Sequence, residues 1–201
     1  MKYLKLFIIV CLLTGCSGLL TSNEEIRYFY VLNPIPNISI VKQQAPIHLN
    51  VQTPIMPNWL DSQRIILLRT PTQVDFYEGA RWIENPSRML GQVITQSLIA
   101  NNVAKDIFYI SPGPRESYQL ITEVMAFDAD YYDMNQPPTI HVQMQVKLIA
   151  PSGQQKYQFF IDDYTPAQQN NLTAIIAAFE NSVQVCLGKI VEQTARGLLR
   201  R

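Results

Sequence analysis

Apolar and polar side chains alternate most regularly from Thr139 to Ala150, with Ile140, Val142, Met144, Val146 and Leu148 on one phase. His141, Gln143, Gln145 and Lys147 hold the other phase. A period of two puts these sets on opposite faces of a strand, one face against a core. Pro151-Ser152-Gly153 predicts a hairpin turn, after which Tyr157, Phe159 and Ile161 continue the alternation. A half-buried strand is also predicted where Ile47, Leu49 and Val51 alternate with His48, Asn50 and Gln52. Arg64 to Arg69 is an unbroken apolar run between two arginines and suits a central strand. Thr70-Pro71-Thr72 turns it back into a partner at Val74 to Tyr77. Further strands fall at Ile26 to Leu32, stopped by Asn33-Pro34-Ile35-Pro36, at Ile107 to Ile110 and at Tyr118 to Asp128.

Two segments change to the helical period. Asn85 is placed to cap a helix that Pro86 begins, because the first turn has no use for the N–H that proline lacks. Leu90, Val93, Ile94, Ser97 and Leu98 then share one face, and Asn101-Asn102 ends the run. A longer helix is predicted from about Leu172 to Leu199, striped by Leu172, Ile175, Ile176, Phe179, Val183, Cys186, Leu187 and Ile190. Glu192 and Arg196 pair across one turn of it, and Arg196, Arg200 and Arg201 suit its negative end. One-sided strands with two one-sided helices predict an α+β fold. The expectation is a single domain, with a mostly antiparallel sheet and two long helices packed on one face.

Composition narrows the function. The 201 residues carry 16 basic and 16 acidic side chains, so no positive surplus exists to neutralise a phosphate backbone, and nucleic acid is not an expected partner. Ten Tyr, eight Phe and two Trp exclude a disordered chain, and three cysteines make no even disulfide framework. The N-terminus is the exception to this globular character. Lys2 and Lys5 precede the apolar run Leu6 to Leu13, which is far shorter than the roughly 20 residues that span a bilayer. This is the layout of a secretory signal.

Leu13-Thr14-Gly15-Cys16 closes that segment and resembles the lipobox of bacterial lipoproteins. The resemblance implies cleavage before Cys16, a diacylglycerol thioether on its sulfur and an acyl chain, such as palmitate, on its new amino group. Each buried CH₂ contributes about 0.8 kcal/mol, so several chains hold a protein on a membrane where one is marginal. The expected organisation is a signal peptide at residues 1–15, a lipidated tether at 16–25 and one domain at 26–201. Ser17 follows the cysteine where an aspartate would mark inner-membrane retention, so the expected location is the periplasmic face of the outer membrane. Cys11 leaves with the signal, and Cys186 remains as the free thiol.

Candidate chemistry is sparse. His48 and His141 both lie on the polar phase of strands, and no nucleophile elbow, zinc spacing, phosphate loop or dinucleotide fingerprint occurs. Asp128-x-Asp130-x-x-Asp133 begins like a calcium loop but has Asp133 where glycine is wanted and Thr139 where glutamate belongs. Asn171-Leu172-Thr173 is a sequon that starts a helix, and Cys186 falls on a buried stripe. No catalytic residue, metal site or cofactor beyond the lipid on Cys16 is expected. Tyr131, Tyr132 and Met134 stand in the polar segment Asp128 to Pro138 and cannot all be core residues. They are candidate partner contacts, the alternative being that the tyrosines fold back on the sheet.

Pro57-Asn58-Trp59-Leu60-Asp61 ahead of the Arg64–Arg69 strand resembles a segment of the ABC-type transport auxiliary lipoproteins, the PqiC-like group. Arg81-Trp82-Ile83-Glu84-Asn85-Pro86 is similar to their helix entry, with Asn85 inserted, and Tyr30-Val31-Leu32 to their first strand. The resemblance implies a non-enzymatic auxiliary subunit. Its partners would be an MCE-domain protein that bridges the periplasm and the ABC transporter that drives it, moving lipid between inner and outer membranes. It leaves a homo-oligomer open. The alternatives are an assembly lipoprotein for lipopolysaccharide or outer-membrane proteins and, from another class, a periplasmic hydrolase.

Overall fold

The computed structural model describes residues 28–36, 38 and 41–200. The elements run β1 (Tyr28–Tyr30), β2 (Ala45–Val51), β3 (Arg64–Thr70), β4 (Gln73–Trp82), α1 (Pro86–Ala100) and β5 (Ala104–Tyr109). Then come β6 (Tyr118–Asp130), β7 (Thr139–Ile149), β8 (Gln155–Pro166) and α2 (Leu172–Leu199). All eight strands join one curled sheet, with β6 as its spine. One edge of β6 pairs antiparallel with β7, and β7 with β8. Its other edge is shared in series: β2 lies along Tyr118 to Leu120, Ile55 bridges Glu123, and β3 lies along Ala129 and Asp130. Beyond these, β2 leads to β5, and β3 leads through β4 to β1.

The α+β class stands, but the expectation of a mostly antiparallel sheet does not. Four of the seven strand pairings among the described residues are parallel: β1 with β4, β2 with β5, β2 with β6, and β3 with β6. Alternation along a strand reports which face is buried and carries no information on a neighbour's direction. Turns reveal only hairpin partners such as β3–β4 and β7–β8, whereas parallel neighbours meet through long crossovers.

Both helices pack on the same side. Ile140, Val142, Met144, Val146 and Leu148 are all at most 1% exposed beneath them. Trp82 at the end of β4, Phe127 on β6 and Phe179 on α2 meet at centroid distances of 5.6, 5.3 and 5.2 Å in the centre of the core. Residues 31–36 strap the N-terminal side across both helices. Ser97 Oγ on α1 accepts from the Ile35 N–H at 3.1 Å, and Gln184 Nε2 on α2 donates to the Asn33 carbonyl at 2.7 Å. Leu32 and Ile35 are buried between.

Helix starts follow two solutions. Asn171 caps α2 as its residue type suggests, accepting from the Ala174 N–H at 3.0 Å. Asn85 makes no side-chain cap of α1. Asp61 does that work from 26 residues before Ser87, accepting from the Ser87 N–H at 3.0 Å and the Ser87 hydroxyl at 2.9 Å. The Asn85 amide instead donates to the Asp61 carbonyl at 3.0 Å, holding the Pro57–Asp61 turn against the helix.

Candidate functional site

The helices cover one face of the sheet, and the strand register fixes what the other face offers. Asp128, His141 and Tyr164 form one row across β6, β7 and β8. Glu123, Gln145 and Phe160 form a second. Val74, Leu68, Asp130, Thr139 and Pro166 form a third, which runs on to β4. Phe160 and Tyr164 are each 54% exposed. Met125 is the extra residue of a bulge between Val124 and Ala126 and is also exposed. A bulge re-aims its extra side chain and bends the strand, which puts this methionine outside the core.

Polar groups frame these apolar side chains. His141 Nε2 lies 2.8 Å from Asp162 Oδ1, and its ring stacks on Tyr164 at 4.2 Å with 8° between the planes. Lys147 pairs with Glu123 at 2.7 Å. Asp128 is nearly inaccessible; its Oδ2 accepts from the Phe127 N–H at 3.2 Å, and its Oδ1 has no partner. Burial pushes its carboxyl up to about 6 against a lowering pull from His141.

The Asp128–Pro138 segment divides its three candidate contacts. Tyr131 is a packing residue: it is buried, shares a 2.6 Å hydrogen bond with the Tyr77 hydroxyl, and donates to Asn170 Oδ1 at 2.8 Å. Tyr132, the next residue, is 86% exposed, and Met134 is exposed as well. One residue of phase along the chain separates a core tyrosine from a surface one. Phe160, Tyr164 and Met125 were not legible as surface residues in the sequence. The signal for the first two was the Phe160-x-Asp162-x-Tyr164 phase of β8, which lies opposite to Phe159 and Ile161.

The remaining candidates stay apart. His48 Nδ1 sits 2.9 Å from Asp106 Oδ2, on β2 and β5. No group of three or more His, Cys, Asp or Glu side chains is placed to hold a metal ion among the described residues, and the calcium-like aspartates are split between β6 and a turn. Cys186 is buried in α2, and burial pushes its thiol up to about 12, so it carries little thiolate. Cys16 and the signal segment lie outside the described residues.

The profile of the ABC-type transport auxiliary lipoprotein components matches residues 30–191. No curated protein sequence matches the chain. Among solved structures, protein XCC0632 from Xanthomonas campestris is similar at 22% identity and a TM-score of 0.71, covering 85% of this chain and 95% of its own. An uncharacterized protein is similar at 14% identity and 0.65, covering 83% and 97%. The hypothetical protein CT253 from Chlamydia trachomatis is similar at 10% identity and 0.51, covering 77% and 99%. At these identities the likeness is one of fold.

Proposed function

We propose a docking role, on the premise that the chain belongs to the family of ABC-type transport auxiliary lipoprotein components, which the match over residues 30–191 establishes. Family membership makes it a lipoprotein component of an ABC-type transport system. The finer reading is a non-enzymatic subunit held by lipid on Cys16 at the periplasmic face of the outer membrane. There it receives an MCE-domain protein whose ABC transporter moves lipid across the envelope. The observation that carries the docking role is the open sheet face. It presents Tyr132, Phe160, Tyr164 and Met125 to solvent within a frame of Asp130, Asp162 and Gln143, on a sheet whose other side carries the helices. Aromatic and methionine side chains at the centre with polar groups around them are the composition of a protein–protein interface.

The test is a crosslinked pull-down of the tagged protein from detergent-solubilised envelopes, read by mass spectrometry. An MCE-domain protein is expected in the eluate from wild type and several-fold less of it from Tyr132→Ser/Phe160→Ser. A β-barrel or lipopolysaccharide-assembly component in its place would overturn the transport reading. Fatty-acid labelling tests the anchor: Cys16→Ala is expected to abolish it and to leave unprocessed precursor.

A further inference from the structure

The sheet also ends in an apolar edge at β1, far from the docking face. Tyr28, Phe29, Val31 and Ile83 are each between 46% and 57% exposed, and the Ile83 N–H donates to the Tyr30 carbonyl at 2.9 Å, so they are neighbours. Tyr28 and Phe29 project from opposite faces of the strand: Tyr28 is paired with Ala80, which is buried, and Phe29 with Arg81. Edge strands are ordinarily blunted by charge, and this one carries aromatic groups.

Two arginines lie beside it. The register sets Phe29, Arg81 and Arg64 in one row across β1, β4 and β3, with the two guanidinium residues directly opposite each other. Like charges facing across a strand pair repel. Neither arginine has an ion-pair partner among the described residues; Arg64 lies over the Phe76 ring at 4.5 Å, Glu78 lines the same depression without bonding either, and Asp75, which also lines it, is taken by Arg69. The depression exists because β4 bulges between Phe76 and Arg81, with Gly79 at a φ of 68°. Two arginines that face each other without an ion-pair partner among the described residues can take an anionic group.

We propose that this end of the sheet faces the membrane, with Tyr28, Phe29, Val31 and Ile83 in the interfacial layer and Arg64 and Arg81 on the headgroups of anionic phospholipid. The proposal rests on the reading that Cys16 carries the lipid. Tyr28 follows Cys16 by twelve residues, which span at most about 40 Å when fully extended, and β1 is the first described element. The anchor therefore keeps this edge within about 40 Å of the bilayer, on a shorter tether than any later strand has. Tyrosine and other aromatic rings favour the headgroup level, and arginines near an anionic surface add attraction there.

The test uses the full lipidated protein in vesicles of phosphatidylcholine, with or without phosphatidylglycerol, carrying photoreactive benzoylphenylalanine in place of Phe29 or, as a control, Phe160. Phospholipid adducts are expected from position 29 and not from position 160. Arg64→Gln/Arg81→Gln is expected to lower the adduct yield by about fivefold or more in phosphatidylglycerol vesicles and to leave it unchanged in phosphatidylcholine alone. Protein that floats with vesicles yet gives no lipid adduct at 29, or crosslinks there to a second copy or another protein, overturns the proposal alone. Protein that does not float overturns the anchor reading and this proposal together.

Discussion

Asp128 occupies a place where an ordinary aspartate would be uncomfortable. Its side chain points to the open face of the sheet but is covered there, one oxygen is bonded only to its neighbour's N–H, and the other is bonded to nothing. The titratable groups around it are His141 on β7, Asp130 on its own strand, and Asp162 and Tyr164 on β8. Burial raises its folded-state value from 3.8 to about 6, so the folded chain holds this proton more tightly than the unfolded chain does. The resulting stabilisation is complete below about pH 4 and is lost as pH rises through 6. Asp128→Asn does not titrate, so its stability relative to wild type should rise between pH 4 and pH 7.5, by on the order of 2–3 kcal/mol. Urea unfolding of both proteins at the two ends of that range checks it, and a difference independent of pH would show that the carboxyl titrates normally. None of this was readable from the sequence. There the strand is expected to end at Asp128 and a polar segment to begin, whereas β6 runs on to Asp130 and buries the Asp128 carboxyl.

At the scale of elements, helix α1 shows how local rules pick the right boundary and the wrong atom. Asn85-Pro86 marks the start correctly, yet the acceptor for the first free N–H groups is Asp61. Asp61→Ala is expected to cost about 1–2 kcal/mol in chemical denaturation, because it removes the cap and frees the Ser87 hydroxyl as well, whereas Asn85→Ala should cost less. That long-range contact also gives a physical reason for two separated family-like segments, Pro57–Asp61 and Arg81–Pro86, to occur together: each completes the other. Helix α2 was legible to its ends because its apolar stripe and its Asn171 cap are both local in sequence. Its glycines were not. A Cβ on Gly197 would lie 2.6 Å from Tyr157 Cδ1, and the Tyr157 ring is held by Gln193 at 2.7 Å and lies under Arg200 at 4.7 Å. Gly197→Ala should therefore lose about 1–3 kcal/mol to overpacking, less the helix propensity it gains. Gly188, with nothing within 4 Å of its would-be Cβ, should instead gain up to about 1 kcal/mol as alanine. Thermal unfolding of the two variants should move in opposite directions.

Strand order gives the whole molecule two separate working ends. The path runs from β1 through β4, β3, β6 and β7 to β8, so the edge proposed to face lipid and the strand bearing Phe160 and Tyr164 stand five strand spacings apart, about 24 Å at roughly 4.8 Å each. That order comes from the parallel contacts of β1 and of β3, which periodicity along the chain does not encode. Periodicity therefore does not indicate that β1 and β8 stand at opposite ends of this path. Between them runs a sheet backed by the Trp82–Phe127–Phe179 cluster, and the strap at residues 31–36 ties the β1 side to both helices. Under the proposed roles, such a sheet would act as a spacer between the docking residues on β8 and the membrane. Tyr131, beside Tyr132, bonds Tyr77 next to the arginine hollow, so independence is expected of the β8 residues Phe160 and Tyr164, which share no partner with Arg64 or Arg81. Phe160→Ser/Tyr164→Ser should reduce recovery of the partner and leave phospholipid adducts at position 29 unchanged. Arg64→Gln/Arg81→Gln should do the reverse when partner recovery is measured in detergent, where no bilayer contributes. The combined variant should show both losses at the sizes measured singly. A fall in lipid adducts caused by the docking substitutions alone would mean that partner binding, rather than the anchor, presses β1 onto the bilayer.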